Sequence, residues 1–275
     1  MKYIIFITIV IVSFALLIRL FENKFIFFPF KYPQGYWHPE VFGLQVEDCY
    51  FRTADGCQLH GWFFPKDSAL ATFLWCHGNA GNITDRLDNL AKLSKLPINV
   101  FIFDYRGYGR SEGSPNETGI YLDAEAAYDY LISLKDVGPD KIILFGRSLG
   151  GAVALDLATK RACAGLILES TFTSAKDMAK SAFGFIPAHL IIKSKFDSIE
   201  KISKIQVPIL FLHGTSDRTV PFKLGRRLHE AANNPKEFYQ IQGADHNDTY
   251  IVGGQPYFNQ LLEFSRQTLR SKNLK

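Results

Sequence analysis

The sequence predicts an α/β protein with a mostly parallel, eight-stranded sheet flanked by helices. Short apolar runs, such as residues 71–76 and 141–145, alternate with longer segments that carry apolar residues at helical spacing, such as residues 117–134. Short apolar strands between helices are typical of a parallel sheet that is buried on both faces. The 275 residues are 47% apolar and 21% charged, which is the composition of a globular chain with one large domain and an appendage.

The charge and the cysteines exclude several classes of protein. The net charge of +4 is small, and no basic stripe interleaves with aromatic residues, so we expect no nucleic-acid partner. The four cysteines form no C-x-x-C pair, which argues against a zinc or thioredoxin-like site. We expect neither a metal nor a cofactor. A two-residue turn at Asp55-Gly56 would place Cys49 opposite Trp62, out of register for a disulfide with Cys57.

The amino-terminal segment is interpreted as a membrane element. Uncharged and mostly apolar residues (3–18) lie between Lys2 and Arg19. As a helix they would rise about 24 Å, and snorkelling of Arg19 would extend the span toward a hydrocarbon core of about 30 Å. We therefore expect a single-pass transmembrane anchor over residues 1–24, with the membrane lipid bilayer as a partner. The alternative is a signal peptide cleaved near Ser13-Phe14-Ala15.

Residues 25–275 are predicted to form the main domain. It begins with an antiparallel hairpin, and strands and helices then alternate. A small cap is predicted where residues 172–205, of mixed apolar and lysine content, interrupt this alternation. The predicted strands are residues 46–52, 58–64, 71–76, 100–103, 141–145, 164–168, 208–212 and 237–241, and the predicted helices are residues 85–96, 117–134, 151–160, 222–232 and 256–269.

Polar residues follow the carboxyl ends of the predicted strands. Sites in parallel sheets form at this edge, so the residues there are candidates for chemistry. They are His77, Asp104, Ser148, Glu169, Asp217 and His246.

The pentapeptide Gly146-Arg147-Ser148-Leu149-Gly150 is the most informative stretch of the chain. It has the pattern G-x-S-x-G between a predicted strand and a predicted helix, which is the context in which this motif presents a serine nucleophile. A serine on so tight a turn takes a strained backbone conformation, and the glycines leave room for it. The alternative is a plain strand-to-helix turn.

A serine nucleophile needs a base and a carboxylate that orients the base. We assign these roles to His246 and Asp217, because both follow predicted strands and lie in the order Ser, Asp, His. The alternatives are a helix cap for Asp217 and a solvated loop histidine for His246. Asp245 and Asp248 lie too close to His246 in sequence to reach its far nitrogen well.

An oxyanion formed at the serine would need two backbone N–H donors. Leu149 follows the nucleophile directly and is the first candidate. The second candidate is Asn79, in the loop of residues 77–82 after a predicted strand. The alternative for this loop is a simple turn rich in Gly and Asn.

Four motifs together resemble the Bem46-like branch of the α/β-hydrolase superfamily. The resemblance covers residues 25–269, and this branch includes membrane-anchored relatives and mammalian protein depalmitoylases. It implies a serine hydrolase in which Ser148, Asp217 and His246 form the triad. The cysteine-rich amino terminus of the depalmitoylases is absent here. The motifs are His77-Gly78-Asn79-Ala80-Gly81-Asn82, Asp104-Tyr105-Arg106-Gly107-Tyr108-Gly109-Arg110-Ser111, Gly146-Arg147-Ser148-Leu149-Gly150 and His213-Gly214-Thr215-Ser216-Asp217.

The sequence therefore predicts a serine hydrolase that cleaves an acyl ester or thioester through an acyl-enzyme. Lipid-like or acyl-protein substrates are the expected class. Two alternatives stay open, namely a serine peptidase of the same fold and a non-catalytic membrane scaffold.

Overall fold

The computed structural model of the protein describes residues 2–134, 137–184 and 191–272. Short strands in this part of the chain form one large sheet and one small one. In chain order they are β1 Phe28–Pro29, β2 Glu47–Arg52, β3 Gln58–Phe64, β4 Ala71–Cys76, β5 Ala80–Gly81, β6 Ile98–Asp104, β7 Ile142–Arg147, β8 Gly165–Glu169, β9 Ile209–Gly214 and β10 Lys236–Ile241.

The large sheet has eight strands in the order β10-β9-β8-β7-β4-β6-β3-β2. Strands β2, β3 and β6 pair antiparallel, and every other neighbouring pair is parallel. The prediction of a mostly parallel sheet flanked by helices is confirmed. The small sheet consists of β1 and β5, which pair in parallel beside it.

Helices cover both faces of the large sheet, as the all-apolar strands require. The α-helices are α1 Lys2–Ile26, α2 Leu87–Leu93, α3 Glu117–Ser133, α4 Leu149–Ala158, α5 Ala175–Phe183, α6 Ser198–Lys201, α7 Phe222–Ala231, α8 Thr249–Val252 and α9 Gly254–Lys272. Some begin at side-chain caps, and the Asn116 carboxamide accepts the Gly119 N–H at 2.9 Å at the start of α3.

The hydrophobic core lies in two layers because side chains alternate along each strand. On β7, Leu144 packs with residues of α3 and α4 on one face, and Phe145 packs with residues of α2 and α9 on the other. Both side chains are fully buried. A sheet buried in this way fixes the carboxyl ends of its parallel strands rigidly against each other.

The predicted membrane anchor is wrong. The amino-terminal segment forms the single helix α1, and no helix of the described residues combines the length and the apolar character that crossing a membrane requires. The carboxyl end of α1 is instead attached to the domain. The buried Glu22 carboxylate accepts hydrogen bonds from the backbone N–H groups of Lys193 and Ser194 at 2.6 and 2.8 Å. Phe27, directly after the helix, lies in the core.

The hairpin and the predicted cap also differ in detail from the sequence interpretation. Cys49 lies opposite Gly61, because residues 53–57 form a longer loop than the predicted two-residue turn. All four cysteines lie in the described part of the chain, and no two of them form a disulfide. The predicted cap contains α5 and α6, and its residues 185–190 lie outside the described residues.

Candidate active site

Ser148 lies on a sharp turn between β7 and α4. Its backbone φ of 53° is in the left-handed region, which side-chain-bearing residues rarely adopt. A Cβ at position 146 would collide with the backbone of Gly150 and Gly151, so the turn closes only with glycine there. The Ser148 N–H donates to the Glu169 carbonyl at 2.9 Å. The hydroxyl is thereby presented at the carboxyl edge of the sheet from a fixed backbone.

The structure brings Ser148, His246 and Asp217 together. The His246 Nε2 lies 3.0 Å from the Ser148 Oγ, and its Nδ1 lies 2.8 Å from the Asp217 Oδ2. A carboxylate only accepts hydrogen bonds, so Nδ1 carries the proton and Nε2 is left to accept the serine hydroxyl. The arrangement can therefore move the hydroxyl proton to the imidazole.

The carboxylate of Asp217 is fully buried and held from both of its oxygens. Its Oδ1 accepts the Thr219 and Val220 N–H groups at 2.9 and 2.7 Å, and its Oδ2 faces His246. Burial alone would raise the pKa of Asp217, but hydrogen bonds with His213 and His246 and with the Val220 N–H hold it well below its ordinary value. Asp217 therefore stays ionised beside the imidazole.

The neighbouring acids and the second histidine have other partners. Asp245 accepts the backbone N–H and the Nε–H of Arg218 at 2.9 and 2.6 Å. Asp248 accepts the backbone N–H of Asp245 at 2.7 Å. The His213 Nε2 lies 3.0 Å from the Val220 carbonyl, next to Asp217. These contacts fix the loops that carry Asp217 and His246.

An ion pair below the site supports the His246 loop, and sequence reasoning did not find it. The guanidinium of Arg147 donates from Nη2 to the His246 carbonyl at 2.6 Å, and its Nε lies 3.4 Å from the Glu169 carboxylate. That fully buried carboxylate also accepts the Tyr257 hydroxyl at 2.8 Å and the Thr249 hydroxyl. No local pattern relates these residues, which come from β7, β8 and the carboxyl-terminal helices.

The loop after β4 lies beside the serine, where Asn79 is held from three sides. Its carbonyl accepts the Phe28 N–H at 2.9 Å and the Tyr108 hydroxyl at 2.6 Å, and its Nδ2 donates to the Ile26 carbonyl at 2.8 Å. Leu149 is the first residue of α4, so its N–H lies outside the hydrogen-bond ladder of the helix. The oxyanion roles of the Asn79 and Leu149 N–H groups stay predictions.

A cavity of about 400 Å³ opens directly on Ser148 and His246. Its volume is in the range of small-molecule sites. Phe30, Arg86, Asn89 and Tyr250 also line it, and none of them was predicted from the sequence. A more open depression of about 470 Å³ adjoins His246 as well, and Arg218, Asp245 and Asp248 line it. No cluster of three or more His, Cys, Asp or Glu side chains suited to a metal ion occurs in the described part of the chain.

Comparisons with known proteins agree with this architecture. Residues 67–199 match the family described as serine aminopeptidase, S33. The chain is 36% identical to the α/β hydrolase domain-containing protein WAV2 of Arabidopsis thaliana, with 93% of this chain and 91% of that protein covered. It is 36% identical to the protein bem46 of Schizosaccharomyces pombe, with 88% and 85% covered.

A solved structure supports the same fold. The esterase Pf2001 of Pyrococcus furiosus superposes with a TM-score of 0.73 at 19% identity, and the match covers 88% of this chain and 98% of the esterase. Likeness at this identity concerns the fold alone. The matches at 36% identity cover most of this chain and most of each relative. The chain therefore belongs to the α/β-hydrolase family that includes Bem46 and WAV2.

Proposed function

We propose that the protein is a serine hydrolase that cleaves acyl esters or thioesters through an acyl-enzyme. The observation that carries this proposal is the continuous chain of hydrogen-bond distances from Asp217 through His246 to Ser148, at 2.8 and 3.0 Å. These distances lie within the range required for proton transfer between positioned groups. The three residues assigned from the sequence thus have the geometry that the proposed roles require.

The proposed reaction has two halves. The Ser148 Oγ attacks the carbonyl carbon, and His246 Nε2 takes its proton. His246 then returns the proton to the leaving alcohol or thiol, which departs and leaves the acyl group on Ser148. In the second half, a water molecule gives its proton to His246 and attacks the acyl-enzyme. His246 then returns that proton to the Ser148 Oγ as the acid leaves. Asp217 orients the imidazole and stabilises its charged form throughout.

The tetrahedral intermediates in both halves carry an oxyanion. We assign its stabilisation to the backbone N–H groups of Leu149 and Asn79, which lie in the two segments beside Ser148. The contacts of Asn79 with Ile26, Phe28 and Tyr108 support this assignment, because preorganised donors need no rearrangement when the charge develops.

A peptidase is the second candidate, because the matching family is described as serine aminopeptidase. An aminopeptidase must bind the positively charged amino group of its substrate. The cavity at Ser148 is instead lined by Arg86, which no described carboxylate pairs and which repels an ammonium ion, and the one acidic residue that lines it, Asp85, is exposed to solvent. The charges of the cavity thus favour an ester or thioester over a peptide with a free amino terminus.

Labelling with a fluorophosphonate probe tests the nucleophile. We expect the full-length protein to be labelled and the variant Ser148→Ala to be unlabelled. Ser68→Ala is the matched control, because Ser68 is exposed in the loop before β4, at the opposite edge of the sheet, and this variant should label like the wild type. Undiminished labelling of Ser148→Ala would overturn the assignment.

The leaving group is tested with matched substrates. Phenyl butyrate and S-phenyl thiobutyrate differ only in the atom that leaves, and alanine 4-nitroanilide reports aminopeptidase activity. We expect hydrolysis of the oxygen ester, the thioester or both, and loss of it in Ser148→Ala. Hydrolysis of the anilide alone would favour the peptidase.

A further inference from the structure

The cavity beside Ser148 contains an arginine whose charge is poorly compensated. Arg86 ends the 3₁₀ turn Ile83–Arg86, directly before α2, and its Nη2 donates to the Ala80 carbonyl at 2.6 Å. Its Nε is buried and has no hydrogen-bond partner. No carboxylate of the described residues is close enough to form an ion pair with Arg86. A cation in this position is costly unless an anion joins it.

A second guanidinium lies near the first, and a carboxylate already compensates its charge. Arg147 lines the same cavity and is almost fully buried. Its own charge is balanced by Glu169 below the cavity, so Glu169 is not available to Arg86. Burial and the nearby charge of Arg147 lower the pKa of Arg86 to about 10, although the charges of Asp85 and Asp104 act in the opposite direction. The surroundings as a whole therefore disfavour the charge of Arg86. The guanidinium is still ionised at neutral pH.

Asn89 supplies an independent observation. It lies one turn after Arg86 on α2, is only 2% exposed, and lines the cavity. Neither the oxygen nor the nitrogen of its carboxamide has a hydrogen-bond partner. Buried polar groups are nearly always paired, so an unpaired carboxamide at the wall of a cavity indicates a ligand that pairs with it. Its NH₂ group can donate to the same anion as Arg86.

One acidic residue lines the cavity as well. Asp85 is exposed to solvent, and its Oδ2 accepts the Asn82 N–H at 2.9 Å within a capping box. Water screens its charge more strongly than it screens the buried part of the Arg86 guanidinium. The buried side of the cavity is therefore cationic and rich in hydrogen-bond donors.

We infer that this cavity binds an anionic group of the substrate, a carboxylate or a phosphate, through Arg86 and Asn89 while Ser148 attacks the ester. The inference rests on the proposed hydrolase function and narrows its substrate class to esters or thioesters that carry a negative charge near the scissile bond. Arg86 and Asn89 would thus determine specificity and would take no part in the proton transfers.

The test compares anionic and neutral esters with acyl chains of equal length, with the full-length protein. For a charge on the acyl side, the pair is the mono-4-nitrophenyl ester of adipic acid and 4-nitrophenyl hexanoate. For a charge on the alcohol side, the pair is the butyryl ester of glycerol phosphate and monobutyrylglycerol. The quantity measured is the ratio of kcat/KM for the anionic ester to that for the neutral one, in the wild type, Arg86→Gln, Arg86→Lys and Asn89→Leu.

We expect the wild type to prefer the anionic ester in at least one pair. Arg86→Gln should lower that ratio by about tenfold or more, the factor expected for one lost charge-assisted hydrogen bond. Arg86→Lys should restore part of it, and Asn89→Leu should lower it less. Arg52→Gln is the control, because Arg52 is exposed on the edge strand β2. The kcat/KM ratio of this variant should equal that of the wild type. The pair that responds identifies the side of the ester that carries the charge.

Two outcomes would overturn the inference, and they are distinguishable. If esters are hydrolysed in a Ser148-dependent manner but neither ratio changes in Arg86→Gln, the anion site is refuted and the hydrolase stands. If no ester of either pair is hydrolysed and the fluorophosphonate leaves Ser148 unlabelled, the proposed function and the anion site fail together.

Discussion

Replacement of Glu169 by Gln removes one negative charge from the network that supports the His246 loop. The Glu169 side chain is fully buried, and its partner Arg147 is 6% exposed. An uncharged amide can still reach the hydroxyls of Thr249 and Tyr257, but it leaves the Arg147 guanidinium without a counter-charge. This guanidinium also donates to the His246 carbonyl, so the change should affect both stability and turnover.

The expected loss of stability follows from this burial. Removal of one partner of a buried ion pair costs about 3–5 kcal/mol, because the remaining charge is left uncompensated in a poorly solvated place. For a chain of this size, such a loss lowers the Tm on the order of 10 °C. The double variant with Arg147→Met removes both charges, so its loss should be smaller than the sum of the two single losses, with a coupling of about 2 kcal/mol or more.

The wild type, the two single variants and the double variant form a double-mutant cycle. Urea denaturation of these four proteins measures their free energies of unfolding. Glu230→Gln is the control, because Glu230 is exposed on α7 and the same change there should alter the free energy of unfolding by less than about 0.5 kcal/mol. The reasoning is refuted if Glu169→Gln unfolds at the same urea concentration as the wild type. It is also refuted if the two single losses simply add in the double variant.

Three further predictions follow from contacts around the site. Asp217→Asn should lower kcat by about 10⁴-fold in ester hydrolysis, because an amide nitrogen facing Nδ1 favours the wrong tautomer of His246, and a loss of less than tenfold would contradict the proposed role of Asp217. Asn79→Ala removes the hydrogen bond to the Ile26 carbonyl and should lower kcat roughly tenfold with little change in KM in steady-state assays, whereas a pure rise in KM would argue against an oxyanion role. Burial and the charge of Arg86 lower the pKa of His77 to about 3, so the unfolded chain binds a proton that the folded one does not. The free energy of unfolding should therefore fall as the pH drops from about 6.5 toward 3, by about 2–3 kcal/mol between pH 7 and 4.5. Urea denaturation at these pH values should show a smaller loss in His77→Gln than in the wild type. Equal losses in the variant and the wild type would refute this reasoning.

Most of the large sheet could be predicted because its signals are local. The apolar runs of β4 and β7 mark strands that are buried on both faces, and the spacing of Ile120, Ala124, Ala127 and Leu131 marks the buried face of α3. The hairpin register was missed by one position. The Thr53 hydroxyl accepts the Cys57 N–H at 2.9 Å and so stabilises a longer loop, which the Asp55-Gly56 pair alone does not reveal.

The amino-terminal segment shows where local patterns mislead. Apolar side chains are compatible with lipid and with a protein core, and composition does not distinguish these environments. The contacts that attach the end of α1 to the domain involve a carboxylate and a backbone carbonyl, in Glu22 with Ser194 and in Ile26 with Asn79, and not its apolar side chains. The sequence carries no local signal for either contact.

Some residues of the candidate site could be predicted from the sequence, and others could not. Ser148, Asp217 and His246 could be assigned because the motif and the chain order are visible in the sequence, and the structure brings them within hydrogen-bond distance. Their catalytic roles stay predictions until the activity is measured. Arg86 and Asn89 were not predicted, because only the fold of the 77–93 segment turns them toward the serine.

The last turn of α1 contacts two separate regions of the domain. Glu22 holds the 193–194 segment, and Ile26, one turn later, holds the loop that carries Asn79. A helix is stiff over so short a distance, so a shift of its axis displaces both regions together. A fused tag, a bound protein or a shortened leading segment that moves α1 would therefore alter the rate of hydrolysis without touching any residue of the catalytic centre.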